Sequence, residues 1–101
     1  MTIKKQMENE KITFIVDGKL TTATSPQFQD ALIPAISEAD EVALDFAGLE
    51  LLSSAGIRVL LMGEKAAKAA GKSMIIKNAK PIIIEIFEIT GLESVFTIMR
   101  G

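Results

Sequence analysis

The sequence predicts an α/β fold in one domain spanning residues 1–101, with elements in the order β-β-α-β-α-β-α-β. Three observations carry this. Ile12, Phe14 and Val16 alternate at the period of two that a half-buried strand requires. Phe28, Leu32 and Ile36 recur at spacing four, which places them on one helical stripe. Beyond them, β-rich runs alternate with helix-start signals, the pattern of four to five strands in a mixed sheet with helices packed against it.

The elements follow in order. Ile3 to Glu8 forms a short first strand, and Glu8-Asn9-Glu10 suits a hairpin turn. Lys11 to Asp17 is the second strand, closed by Gly18. Thr24-Ser25-Pro26 opens a helix with a hydroxyl cap and a proline in the first turn. Pro34 lies inside that helix and either kinks it or ends it early. Glu41 to Phe46 is the next strand. Ser53 or Ser54 caps a long helix that runs to about Ala70, where Gly71 stops it. Ser73 to Lys77 is a buried strand. Asn78 and Pro81 open a helix through about Ile89, with Gly91 as its stop. The isoleucines at 82–84 and 86 suit a strand by composition, but the cap before them and Phe87-Glu88-Ile89 after them favour a helix. Val95 to Ile98 is a last short strand.

Composition removes several function classes. Cysteine, histidine, tryptophan and tyrosine are absent, which excludes disulfides, ordinary zinc sites and the commonest general base. The formal net charge of -2 gives no electrostatic reason to bind nucleic acid. There is no apolar run of the roughly 20 residues a membrane span needs, and Met1 to Lys11 is unlike a signal peptide. A cytoplasmic location and no membrane insertion are expected. With 101 residues, 49% of them hydrophobic and 24% charged, the chain reads as globular and can bury a core without metals or disulfides.

The centre of the chain holds the candidate site. Two serines, Ser53 and Ser54, start the long helix. A helix start leaves amides unpaired and carries partial positive charge, so it tolerates a phosphate. Projected at 100° per residue, Val59, Gly63, Ala66 and Ala70 share the side that packs on the sheet, with Leu60 and Ala67 beside them. Ser54, Arg58, Leu61, Lys65 and Lys68 share the opposite side, with Ile57 at its flank. Gly56 costs helix stability in the first turn, and a close approach by another segment would account for it. The plainer account of each feature is that the serines only cap, the cations are solvated and one outward leucine is ordinary.

The segment from Asp45 to Leu61 resembles the signature of STAS domains, with an Asp-Phe strand end, a short loop, a serine-containing tetrapeptide ending in Gly56 and an aliphatic helix. Gly18-Lys19-Leu20-Thr21 is similar to the family's motif after its second strand. Asn78 through Leu92, followed by Val95 to Ile98, is similar to its closing helix and strand. The resemblance covers nearly the whole chain and implies the STAS fold.

Within that family the resemblance is to anti-sigma factor antagonists. It implies a protein that is not an enzyme, has no metal or cofactor, and binds an anti-sigma factor serine kinase when unphosphorylated. Phosphorylation at the helix start would switch it off, and a serine phosphatase would restore it. The family's Asp-Ser-Ser/Thr-Gly tetrapeptide falls on Ser53, Ser54, Ala55 and Gly56, making Ser54 the acceptor and Ser53 the alternative. Thr21, Ser53, Ala55, Gly56, Ile57, Arg58 and Leu61 would form the partner-binding surface. The chain departs from the pattern at Ser53 and Thr21, where acids are common, and at Ala55, which lacks the second hydroxyl. A different expectation is a constitutive interaction subunit, for instance of a lipid-transporting ABC system, that needs no phosphorylation. Catalysis is disfavoured by the lack of a glycine-rich phosphate loop and of a carboxylate pair suited to acid–base work.

Overall fold

The structure, a computed structural model, describes residues 1–99. Its elements are β1 (Thr2–Glu8), β2 (Lys11–Leu20), α1 (Ser25–Ile36), β3 (Glu41–Asp45), β4 (Leu49–Leu52), α2 (Ser54–Ala69), β5 (Ser73–Lys77), α3 (Pro81–Ile89) and β6 (Thr97–Met99). The sheet runs β1-β2-β3-β5-β6, with β4 also paired to β2. β1 is antiparallel to β2, and every other pairing is parallel. Mixed pairing is as expected. There are six strands where four to five were expected.

The extra strand is β4, and it sits where the sequence suggested a loop. β2 does not end at Gly18. It continues to Leu20, and its far end pairs with β4 in the register Gly18↔Leu49, Lys19↔Leu51 and Leu20↔Leu52. The register shifts between Gly18 and Lys19, so β4 carries one extra residue, and only Leu49 and Leu52 are buried. That shift destroys the period of two by which a short strand is read. Gly18 adopts φ +101°, a conformation that favours glycine, and its amide donates to the Gly48 carbonyl at 2.8 Å.

Other boundaries differ for local reasons. α1 runs through Pro34 to Ile36; Pro34 lies in the last turn and is exposed, as is Asp30, whose carbonyl loses its amide partner. Thr24 does not cap α1 with its side chain; its hydroxyl donates to the Lys19 carbonyl at 2.9 Å instead. Asn78 does not cap α3 either. It adopts φ +60° and donates from Nδ2 to Asp45 Oδ1 at 3.2 Å, which leaves Lys80 at the cap position. Val95 and Phe96 lie in a turn before β6, where Phe96 meets Phe87 with ring centroids 5.4 Å apart. Ala70, placed on the packed side by projection, is exposed because α2 ends at Ala69.

One apolar cluster joins all three helices to the sheet. It includes Ile12, Phe14, Phe28, Leu32, Leu44, Leu60, Ile76 and Phe87. Phe28, Leu32 and Ile36 point into it, as their spacing requires. Two glycines let α2 approach closely. A Cβ on Gly56 would lie 2.7 Å from Leu20 Cγ and 2.9 Å from Leu52 Cδ1. A Cβ on Gly63 would lie 2.8 Å from Leu32 Cδ2 and 3.0 Å from Met74 Sδ. The segments that crowd Gly56 are thus the two strand ends of the chain itself.

The two glycines differ in what would have to move. Gly63 faces the far ends of flexible side chains, whereas Gly56 faces the branch point of a fully buried leucine. Alanine also gains about 1 kcal/mol over glycine in a helix. Gly56→Ala is therefore expected to destabilise by about 1–3 kcal/mol through overpacking, and Gly63→Ala by clearly less. Urea unfolding of the two variants measures the difference.

Candidate functional site

The site is built where two parallel strands end together. The last register pair, Leu20↔Leu52, brings the following residues, Thr21 and Ser53, alongside each other. The Ser53 amide donates to the Leu20 carbonyl at 2.9 Å, which fixes the start of α2 against β2. Ser53 is extended at φ -85°, ψ 168° and is the N-cap. Its Oγ accepts from the Gly56 amide at 3.2 Å, and its carbonyl accepts from the Ile57 amide at 3.0 Å. Ser53 thus spends its hydroxyl oxygen on the cap, and Ser54 is the first helical residue, exposed.

Thr21 is held by its own network. Its amide donates to Thr24 Oγ1 at 2.8 Å, and the Thr24 amide donates to Thr21 Oγ1 at 3.3 Å. The Thr21 carbonyl accepts from the Ser25 amide at 2.8 Å and from the Ser25 hydroxyl. The half-buried Thr21 therefore sits on a rigid corner rather than a loose loop.

The outer face of α2 matches the projection. Ser54, Arg58, Leu61, Lys65 and Lys68 are all exposed, with Leu61 at 37%, and Ile57 and Ala55 are half-buried. Gly56 is buried and lies beneath this surface rather than on it. The ion pairs Lys5–Glu38, Lys11–Glu41 and Lys72–Asp40 involve none of the cations on the outer face of α2, where Lys68 lies close enough to Glu64 to act on its charge. No acid stands in the first turn of α2. Glu50, the acid nearest in sequence, is exposed on β4. Asp45 accepts from the Ala47 amide at 3.0 Å and from Asn78 at 3.2 Å; it ties a strand end to its loop.

Glu64 is the residue that sequence reasoning passed over. It is 7% exposed, and its Oε1 has no hydrogen-bond partner among the described residues. Burial raises its pKa above 4.5, and the charge of Lys68 opposes that shift. The signal was in the helical projection, because Glu64 falls between Leu60 and Leu61 and close to Ile57. No group of acidic residues among those described could hold a metal ion.

Two outcomes follow from this geometry. Ser53→Ala removes the cap and is expected to destabilise by about 1 kcal/mol, while Ser54→Ala stays within about 0.5 kcal/mol of the parent. Thermal unfolding separates the two hydroxyls. For Glu64 the folded state favours the neutral acid, so its cost is absent below the unfolded pKa and grows as pH rises through the raised folded value. Glu64→Met is expected to stabilise by about 1 kcal/mol at neutral pH. That gain shrinks when urea unfolding is repeated near pH 4.

Comparisons with known proteins agree with this architecture. Residues 3–100 match the family model described as Mlab, STAS domain. BtrV of Bordetella bronchiseptica, described as a proposed anti-sigma factor antagonist, is 30% identical over 87 residues, which is 85% of this chain and 75% of the relative. The anti-sigma-B factor antagonist of Bacillus subtilis is 26% identical over 94 residues, covering 93% and 85%. The anti-sigma factor antagonist SpoIIAA of Bacillus, solved in unphosphorylated and phosphorylated forms, shares the fold with TM-scores of 0.82 and 0.77 at 18% identity. Those superpositions cover 99% of this chain and 90% and 93% of SpoIIAA. A match along almost the whole chain, on the same order of strands and helices, makes this protein a member of the STAS domain family, with relatives among the anti-sigma factor antagonists.

Proposed function

We propose that this protein is an anti-sigma factor antagonist, a binding protein rather than an enzyme, whose partner is an anti-sigma factor serine kinase. The unphosphorylated chain docks through Thr21, Ser53, Ala55, Ile57, Arg58 and Leu61, with Gly56 allowing the close packing beneath them. Phosphorylation of Ser54 by the kinase releases the complex, and a serine phosphatase restores binding. The names of the relatives support the antagonist role. The observation that carries the choice of residue is the division of labour between the two serines: Ser53 Oγ caps Gly56, whereas Ser54 is exposed at the first helical position.

Simple electrostatics supports a switch without a change of shape. A phosphoserine adds about -1.5 to -2 charges and three acceptor oxygens. In the free protein the helix N-terminus stabilises that charge, and Arg58 lies one turn further along the same face. In the complex the same dianion would be forced into an interface containing Leu61 and Ile57, at the expense of desolvation. The missing acids at Thr21 and Ser53 favour a second reading, a constitutive STAS subunit of a lipid-transporting ABC system that uses this surface without modification.

Incubation with ATP and the anti-sigma-type serine kinases of the same genome tests the proposal, read by intact mass and peptide mapping. The expected result is one phosphate, located on Ser54 and abolished by Ser54→Ala, with loss of kinase binding afterwards. Phosphate on Ser53 alone would keep the switch and overturn the residue. No phosphate with any candidate kinase would reject the switch, and capture of an ABC ATPase would then establish the second reading.

A further inference from the structure

β1 is the outermost strand of the sheet, and one of its edges has no partner among the described residues. It runs beside β2 without a bulge, from Thr2↔Asp17 to Glu8↔Lys11. Glu8 and Lys11 flank the two-residue turn Asn9-Glu10, so they exchange backbone hydrogen bonds with each other. The alternation of an antiparallel ladder then fixes the rest of the strand. Thr2, Lys4, Gln6 and Glu8 turn their backbone groups toward β2, and Ile3, Lys5 and Met7 turn theirs outward. Such an edge is a template for another strand. We propose that it pairs with β1 of a second copy of this chain, antiparallel and centred on Gln6.

Charge selects both the occupant and the register. Centred on Gln6, the outward groups of Lys5 face those of Met7 in the second copy, and those of Met7 face its Lys5, so the ladder continues across the contact. Lys4 then lies opposite Glu8 of the copy, twice by symmetry, and Gln6 lies opposite its own counterpart. These three side chains are exposed, and their β2 partners Ile15, Thr13 and Lys11 lie outside the core cluster, so they share the open face of the sheet. Neither Lys4 nor Glu8 joins an ion pair among the described residues; Lys11, across the hairpin from Glu8, reaches Glu41 at 3.6 Å instead. Centred on Lys4 or Lys5, a lysine would face itself. Centred on Ile3 or Met7, the overlap would shrink to residues 2–4 or 6–8. On the other face Met7, 60% exposed, would lie against the aliphatic stem of Lys5 of the copy. Lysines on an edge ordinarily repel incoming strands; here Glu8 makes the edge complementary to itself. None of these residues belongs to the surface proposed to dock the kinase, so the pairing does not depend on Ser54.

Sedimentation velocity of the whole protein over a concentration series tests the pairing. A reversible dimer is expected with a Kd of about 0.1–1 mM, because a short strand pair covers far less than the roughly 1,200 Å2 of a stable interface. Two-dimensional NMR over the same series locates the contact. The shifts that grow with concentration are expected within residues 4–8, largest at the amides of Lys5 and Met7, which gain acceptors. Lys4→Glu alone or Glu8→Lys alone is expected to weaken the dimer about tenfold, since like charges then meet at both symmetric pairs. The double exchange is expected to restore it to within about twofold of the parent. All these side chains are exposed, so the variants keep the fold. A monomer at about 1 mM would overturn the proposal and leave the edge to a strand from a different protein. A dimer whose shifts centre elsewhere, or one that ignores the single charge reversals, would overturn the pairing centred on Gln6.

Discussion

The first turn of α2 rests directly on Leu20 and Leu52, and much of the molecule follows from that contact. Both leucines are the final pair of a parallel ladder, so the helix begins where two strands stop. Only a residue without a side chain fits between them, which is why glycine occupies a helical position it ordinarily weakens. With α2 seated there, Val59, Leu60, Gly63 and Ala67 face the core, and the other edge of the helix is turned outward. The exposure of Ser54 and Leu61 is therefore a by-product of core packing. The surface cannot be remodelled by tilting the helix, because tilting would open the contact beneath it.

That rigidity suits a switch that works by charge. A dianion placed on a mobile loop could swing away from an incoming partner. On the first helical residue it stays in the plane of the interface, held by amides that already point outward. Thr21 contributes to the same stiffness through its reciprocal bonds with Thr24, so the two corners that meet at the strand ends are both tied down. The proposed partner would meet a preformed surface, and preformed surfaces lose less entropy on docking.

Much of this was legible in the sequence. The alternation of Ile12, Phe14 and Val16 and the spacing of Phe28, Leu32 and Ile36 identified their elements because each has one wet face and one dry face. The outward set on α2 was recovered by projection for the same reason. What escaped was decided by contacts between distant segments. β4 is a strand only because β2 extends past Gly18 to meet it, and a register shift hides its period. Asn78 has the chemistry of a cap but bonds to Asp45, across 33 positions in sequence. Glu64 drew no attention in the sequence, although its place on the helix next to Leu60 sets it toward the buried side. The role of Gly56 was half readable: a close approach was evident, its source was not.

The connectivity also orders events during folding. β1 and β2 form a hairpin whose turn, Asn9-Glu10, has both residues at positive φ, the geometry that matches the twist of paired strands. That unit is local and closes early. The ladder between β2 and β4 is different, because its partners are separated by α1 and β3 and it closes only at the cost of a long loop. The shelf beneath Gly56 therefore exists only once that long-range ladder has closed. A chain in which that ladder is open has no seat for α2, so the surface around Ser54 exists only where β2 and β4 are paired.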